Sequence, residues 1–207
     1  MADKCFSGNL GEYGIRALTL DEGDELVTVR ETDGTRKIII ATHDGSAVCF
    51  DETEVRPMGR TAVGVRGIRL REGDYVVGAA RAKEGHEVLA ITEKGFGKKT
   101  PVEEYRVTGR GGLGVRNYMV TEKTGPVIGI KVVDSSEDLL LVTQAGILIR
   151  TPVANIRSAG RATQGVIVMR FKEEGDRVIA MALTEHEAAE VSTEPVEVVE
   201  NASETEA

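Results

Sequence analysis

The stretch IIIATHDGSAVCF (38–50) decides how the chain is read, because it returns as VLAITEKGFGKKT (88–100) and as LLLVTQAGILIRT (139–151). Each copy has an apolar run, a Thr, two residues, a Gly and a second strand-like run, and Thr42, Thr92 and Thr143 stand 50 and 51 residues apart. The sequence that follows keeps the same register: VRPMGRTAVG (55–64), YRVTGRGGLG (105–114) and IRSAGRATQG (156–165). Arg56, Arg106 and Arg157 are in step, as are Arg60, Arg110 and Arg161, and the closing Gly64, Gly114 and Gly165. A fixed period of this length marks a repeat architecture.

Within a unit, short runs rich in Val, Ile and Thr are separated by Gly- and Asp-bearing turns, with no helical period. In the first unit RALTL (16–20), ELVTVRE (25–31), KIIIAT (37–42) and SAVCF (46–50) read as four strands. Asp44-Gly45 predicts a two-residue hairpin turn with positive φ at both positions. Four strands in about 50 residues make one blade of a propeller-like ring, and a ring takes typically 4 to 8 blades. The fold is therefore expected to be all-β, a β-pinwheel or propeller-like repeat forming an incomplete ring. Its expected parts are the end of a preceding blade at 1–14, blade repeats at 15–64, 65–114 and 115–165, a partial closing blade at 166–184, and a disordered acidic tail at 185–207.

Composition narrows the function. No apolar run approaches the roughly 20 residues that cross a bilayer, and the first ten residues, MADKCFSGNL, lack the features of a signal peptide. A soluble cytoplasmic protein with no membrane partner is expected. Cys5 and Cys49 are far apart, and His43, His86 and His186 are isolated, so neither a disulfide, a metal site nor a cofactor is expected. No nucleophile–base arrangement suggests catalysis. The net charge of −8 belongs to the tail: residues 178–207 hold eight Glu and no Lys, Arg or Asp, leaving 26 basic and 26 acidic side chains in the rest.

Three literal motifs carry no weight. GRGGLG (109–114) is followed by strand-like VRNYMV instead of the helix that would hold a pyrophosphate. GKKT (97–100) has Thr92 where a P-loop needs its first Gly, and the sequon at Asn201 lies in a chain with no route to secretion.

The arginines in register are the functional signal. Lys and Arg that contact phosphates of a duplex gain affinity from released counterions without reading sequence. One per unit, on a loop, sets charge at regular steps along a rim. The candidate phosphate contacts are Arg56, Arg60, Lys98, Lys99, Arg106, Arg110, Arg116, Arg150, Arg157 and Arg161. Gly59, Gly109, Gly111, Gly112 and Gly160 are expected to shape tight corners; Gly59, Gly109 and the residues around Gly111 and Gly112 permit positive φ and leave no Cβ, so that backbone N–H groups add to the guanidinium. A solvated loop charge or an interblade ion pair accounts for any single arginine equally well.

The phrases VRPMGR (55–60), GVRGIRL (64–70), GFGKKT (95–100), YRVTGRGGLGV (105–115) and LLLVTQAGILIRTPVANIRSAGRATQG (139–165) resemble the C-terminal domain of DNA gyrase A across nearly the whole body. That resemblance implies a six-bladed β-pinwheel, with strands exchanged between neighbouring blades, that wraps double-stranded DNA on a basic outer rim. It also implies partnership with the rest of gyrase A and, through it, gyrase B, and a non-catalytic segment lacking the catalytic region and the first blades. The Gln-Arg-Arg-Gly-Gly-Lys-Gly box of gyrase is absent; TGRGGLG (108–114) is its nearest echo. The corresponding domain of topoisomerase IV, which lacks the box, is the alternative within the class, and a blade-repeat protein scaffold the alternative outside it.

Overall fold

The computed structural model describes residues 4–5 and 17–186; the expected tail from 187 on, and the first blade end apart from residues 4–5, lie outside them. The strands in chain order are β1 (Lys4–Cys5), β2 (Lys37–Thr42), β3 (Ser46–Asp51), β4 (Val65–Arg66), β5 (Val76–Ala82), β6 (Glu87–Thr92), β7 (Phe96–Pro101), β8 (Val115–Arg116), β9 (Val127–Val133), β10 (Glu137–Thr143), β11 (Leu148–Pro152), β12 (Val166–Ile167) and β13 (Val178–Glu185). The described helices are single 3₁₀ turns after β3, β7 and β11, and none is long and apolar enough to cross a membrane.

Each recurring stretch is a β-hairpin whose Thr makes the turn. The hydroxyls of Thr42, Thr92 and Thr143 accept from the amides of Ser46, Phe96 and Ile147 at 3.2–3.3 Å. The amides of Gly45, Gly95 and Gly146 donate to the carbonyls of the same threonines at 3.0–3.1 Å. Only the Gly has positive φ, so the loop has three residues and ends in a left-handed Gly; the two-residue turn expected from Asp44-Gly45 does not form.

The sheets do not follow the sequence units. The first runs β5-β2-β3-β8 and the second β9-β6-β7-β12, so each joins the hairpin of one unit to an inner strand from the next and to a short outermost strand that opens the unit after; β12 lies in the second sheet and β13 in the third, β13-β10-β11. Ladders are antiparallel throughout. Ile39, Ala41, Ala47 and Cys49 pack against Val88, Ala90, Tyr105 and Tyr118 between the first two sheets. Leu89 and Ile91 meet Leu139, Leu141 and Met169 between the second and third. The alternate residues Ile40, Val48 and Phe50 bury the other face of the first sheet. Both faces being covered, the strands read as continuous apolar runs.

Residues 17–20 and 25–31, expected as strands, are not in a ladder. Leu26 and Val29 stay 56% and 54% exposed. A strand needs a run of hydrogen-bonded neighbours to satisfy its backbone, and among the described residues only the Thr19 amide, donating to the Ala62 carbonyl at 3.3 Å, makes a backbone bond to another segment here.

The exchanged strand fits because two glycines let backbones touch. A Cβ at Gly114 would lie 2.3 Å from the carbonyl oxygen of Ala47, and one at Gly165 2.4 Å from that of Gly97; φ at the two is 74° and 68°. Gly73 has a similar φ of 77° with nothing within 4 Å. Gly114→Ala is therefore expected to destabilise the chain well beyond Gly73→Ala, whose cost is the left-handed backbone alone, roughly 1–2 kcal/mol. Urea unfolding of the two variants measures the difference, which is the cost of separating the blades.

Candidate nucleic-acid interface

The segment between each 3₁₀ turn and the exchanged strand runs along the outer edge of the preceding sheet. In the second unit it begins at Tyr105, is tied by the Thr108 amide to the Cys49 carbonyl at 2.7 Å, and ends in β8 paired with Ser46 and Ala47. Residues 109–114 lie between these ties and meet the segment around Gly67, with the Gly111 amide donating to the Gly67 carbonyl and the Arg69 amide to the Gly112 carbonyl, both at 2.8 Å. The third unit repeats the course: the Lys99 amide donates to the Arg157 carbonyl, the Ala159 amide to the Lys99 carbonyl, and β12 pairs with β7.

Along this edge Val55, Tyr105 and Ile156 are buried anchors, and the residue after each, Arg56, Arg106 or Arg157, is exposed. Arg60 and Arg116 are exposed too. Among the described residues, no carboxylate lies within ion-pair distance of Arg56, Arg60, Arg106 or Arg157.

Arg110 and Arg161 are half-buried and serve as clasps between units. Nη1 of Arg110 donates to the Arg66 carbonyl at 2.7 Å while its amide donates to Glu54 Oε2 at 2.9 Å. Nη1 of Arg161 donates to the Arg116 carbonyl at 3.1 Å while its amide donates to Glu104 Oε2 at 3.2 Å. In both, Nε–H is buried with no acceptor among the described residues. Each guanidinium meets a carbonyl, so its charge is not cancelled by a carboxylate.

Of the other candidates, Lys98 and Lys99 are corrected by burial, while Arg150 is exposed but engaged within its own sheet. Lys98 is fully buried, with Nζ donating to the carbonyls of Gly160 and Arg161 at 2.7 and 2.5 Å and lying 5.2 Å from the centre of the Tyr118 ring. It clamps the third unit's corner to the second sheet from inside, where no phosphate reaches. Lys99 is buried and pairs with Glu87 at 3.2 Å. Arg150, on the equivalent strand, pairs with Asp138 at 2.7 Å and donates to the Glu185 carbonyl. Burial opposes the charge on Asp138, but hydrogen bonds from His186 and Arg150 outweigh it and hold the carboxyl below its ordinary range. These are intrablade pairs, which in the first sheet are replaced by Lys37 and Cys49.

Of the corner glycines only Gly111 has positive φ, 79°. Gly59, Gly109, Gly112 and Gly160 do not, and a Cβ at Gly59 would meet nothing within 4 Å. The required glycines are Gly114 and Gly165, where the corner closes.

The fold adds cations that sequence reading missed. A cleft of about 630 Å³ between the first two blades is lined by Arg36, Lys37 and Lys83 together with Arg106. Nothing in the repeat register singles out the first three, because the cleft forms only when separate units meet. His43, Asp44 and Asp74 also come together, with ligand atoms within 4.8 Å of one another. Asp74 Oδ1 is engaged by the Asp44 and Tyr75 amides, fastening the hairpin as Asp176 does in the third sheet.

Fold and surface define a class: a blade-repeat module with exchanged strands and an arginine-bearing outer edge. The family model described as "DNA gyrase C-terminal domain, beta-propeller" matches residues 13–33, 36–83, 86–134 and 137–185, and the chain belongs to that family. It is 57% identical over 189 residues to the DNA gyrase A protein of Streptococcus pyogenes serotype M3, covering 90% of this chain and 23% of that protein. It is 57% identical over 183 residues to the DNA gyrase A protein of Halalkalibacterium halodurans, covering 88% and 22%. The chain thus spans under a quarter of the curated relatives it matches. Among solved structures it is similar to a C-terminal domain of DNA topoisomerase IV (TM-score 0.81, 28% identity, 88% of this chain and 59% of that one) and to a DNA gyrase A C-terminal domain (0.76, 26%, 82% and 58%).

Burial pushes the Lys98 ammonium down to about 8 from its ordinary 10.5, with Glu104 opposing and Arg161 assisting. A lysine with a depressed folded pKa binds fewer protons folded than unfolded between those values, so its contribution to stability rises with pH through that window. Relative to Lys98→Met, the parent chain is therefore expected to gain stability between pH 8 and pH 10.5. Urea midpoints of both chains across that range check the sign.

Proposed function

We propose that this chain is the DNA-binding and DNA-wrapping part of a DNA gyrase A protein, contributing to supercoiling through sequence-independent phosphate contacts on its outer edge, in a cytoplasmic enzyme. The catalytic work belongs to the remainder of gyrase A and to gyrase B. The observation that carries the reading is that Arg56, Arg106 and Arg157 recur in register, exposed and without a carboxylate partner among the described residues. Arg60, Arg110, Arg116 and Arg161 flank them on the same edge. With the corner arginines committed to carbonyls, the exposed arginines would face a polyanion along one edge. Arginine matches phosphate geometry through its planar fork.

Among the described residues there is neither a recognition helix nor a metal-held finger, so sequence preference is not expected. Bending a duplex of 20–30 base pairs costs roughly 1–6 kcal/mol, so a series of contacts spread over several blades is needed to offset it. Identity of 57% to DNA gyrase A relatives over about 90% of the chain favours the gyrase assignment, while the two solved domains, at 28% for topoisomerase IV and 26% for gyrase A, do not separate the readings.

Replacing Arg56, Arg106 and Arg157 together by Gln is expected to leave melting unchanged and to weaken duplex binding. If each contacts one phosphate, the log–log salt slope falls by about 3. Gel shifts on a plasmid-length duplex over a salt series measure it; an unchanged slope sinks the assignment of these three residues.

A further inference from the structure

A second concave site adjoins the first cleft, sharing Arg36 and Lys83 with it, and opens where the innermost strands of three sheets converge. This cleft, of about 510 Å³, is lined by Arg81 on β5, Lys131 on β9 and Leu183 on β13, and by Arg30, Arg36 and Lys83 from the connecting segments. Five cations therefore surround one hollow. The carboxylates on its wall are Asp134 and Glu137, with His86 beside them.

The acids are already engaged. Asp134 accepts from the Ser136 amide and hydroxyl and sits 3.7 Å from His86, while Glu137 accepts from the Asp134 amide at 3.0 Å. Of the cations, Arg36 is paired with Asp33 at 2.6 Å, but Asp33 is not on the wall. Arg81 and Arg30 spend one Nη1 each on the carbonyls of Glu31 and Val29, which carry no net charge. Lys131 has no carboxylate within ion-pair distance among the described residues. Its charge is disfavoured first by burial and then by Arg30. Like charges gathered in a hollow with too few counter-charges are stabilised by a bound anion.

We propose that this cleft binds a ligand carrying several phosphoryl oxyanions, held by Arg81, Lys131 and Arg30. The volume lies in the range of small-ligand sites, roughly 300–1,000 Å³, and the guanidinium groups supply paired donors that match phosphoryl oxygens. The ligand is either a free polyphosphate or the phosphates of a duplex passing over this face. The proposal does not rest on the outer-edge arginines.

The test is calorimetric titration of the full 207-residue chain with sodium tripolyphosphate at low and high salt. Binding that weakens with salt is expected. Arg81→Gln combined with Lys131→Gln is expected to weaken it by tenfold or more, since hydrogen bonds to charged groups are worth about 1.5–3 kcal/mol. Arg170→Gln, an exposed cation outside the cleft, is expected to change nothing. No binding by the parent chain, unaltered binding by the double variant, or an equal loss in Arg170→Gln would overturn the proposal. A second titration in the presence of saturating short duplex separates the sources: exclusion of tripolyphosphate assigns the site to duplex phosphates, and undiminished binding assigns it to a free polyphosphate. A chain that binds duplex but never tripolyphosphate refutes this site and leaves the outer-edge reading standing.

Discussion

The sheets are held together by the passage of one short strand onto the outer edge of a hairpin that lies earlier in the chain. β8 closes the first sheet and β12 the second, and the approach is so close that backbone meets backbone at Gly114 and Gly165. The same strap reaches the hairpin turns. The amides of Asn117 and Tyr118 donate to the Gly45 carbonyl, and those of Val168 and Met169 to the Gly95 carbonyl. A Cβ at either turn glycine would come within 2.6 Å of a neighbouring carbonyl oxygen, whereas Gly146, in the third sheet, has nothing within 4 Å. There the outer strand is missing among the described residues, and Leu148 of β11 is 61% exposed.

The strap explains how structure and candidate function share one segment. The residues that tie blade to blade are interleaved with those that face outward: buried Tyr105 precedes exposed Arg106, and the Thr108 tie precedes the Arg110 clasp. Charge is thus held in register by the same hydrogen bonds that hold the blades. An edge of this kind is stiff, because the exposed arginines cannot shift along it without breaking the ties at Thr108 or its equivalents.

Much of this was legible in the residues. Thr42, Thr92 and Thr143 located the hairpins, and the closing glycines located the joints. Side-chain direction was less accessible. Lys98 and Lys99 sit on a strand covered on both faces, and period-two reasoning cannot assign an outward face where none exists. Charge in such a strand is tolerated only with partners, which the Gly160 and Arg161 carbonyls and Glu87 provide from positions that linear spacing does not reveal. ELVTVRE (25–31) has strand composition yet no ladder, because propensity does not supply a neighbour. The inner cleft was invisible for a related reason: Arg36, Lys83 and Lys131 come together only in space.

Because each joint is made of one unit's hairpin glycine and the next unit's closing glycine, copying a stretch of about 50 residues copies a finished seam along with it. Duplication within the gene would add a blade without inventing an interface, and deletion would remove one without orphaning its neighbours. The number of blades is then set by copy number, and arc length can change in evolution while the chemistry of every seam stays constant.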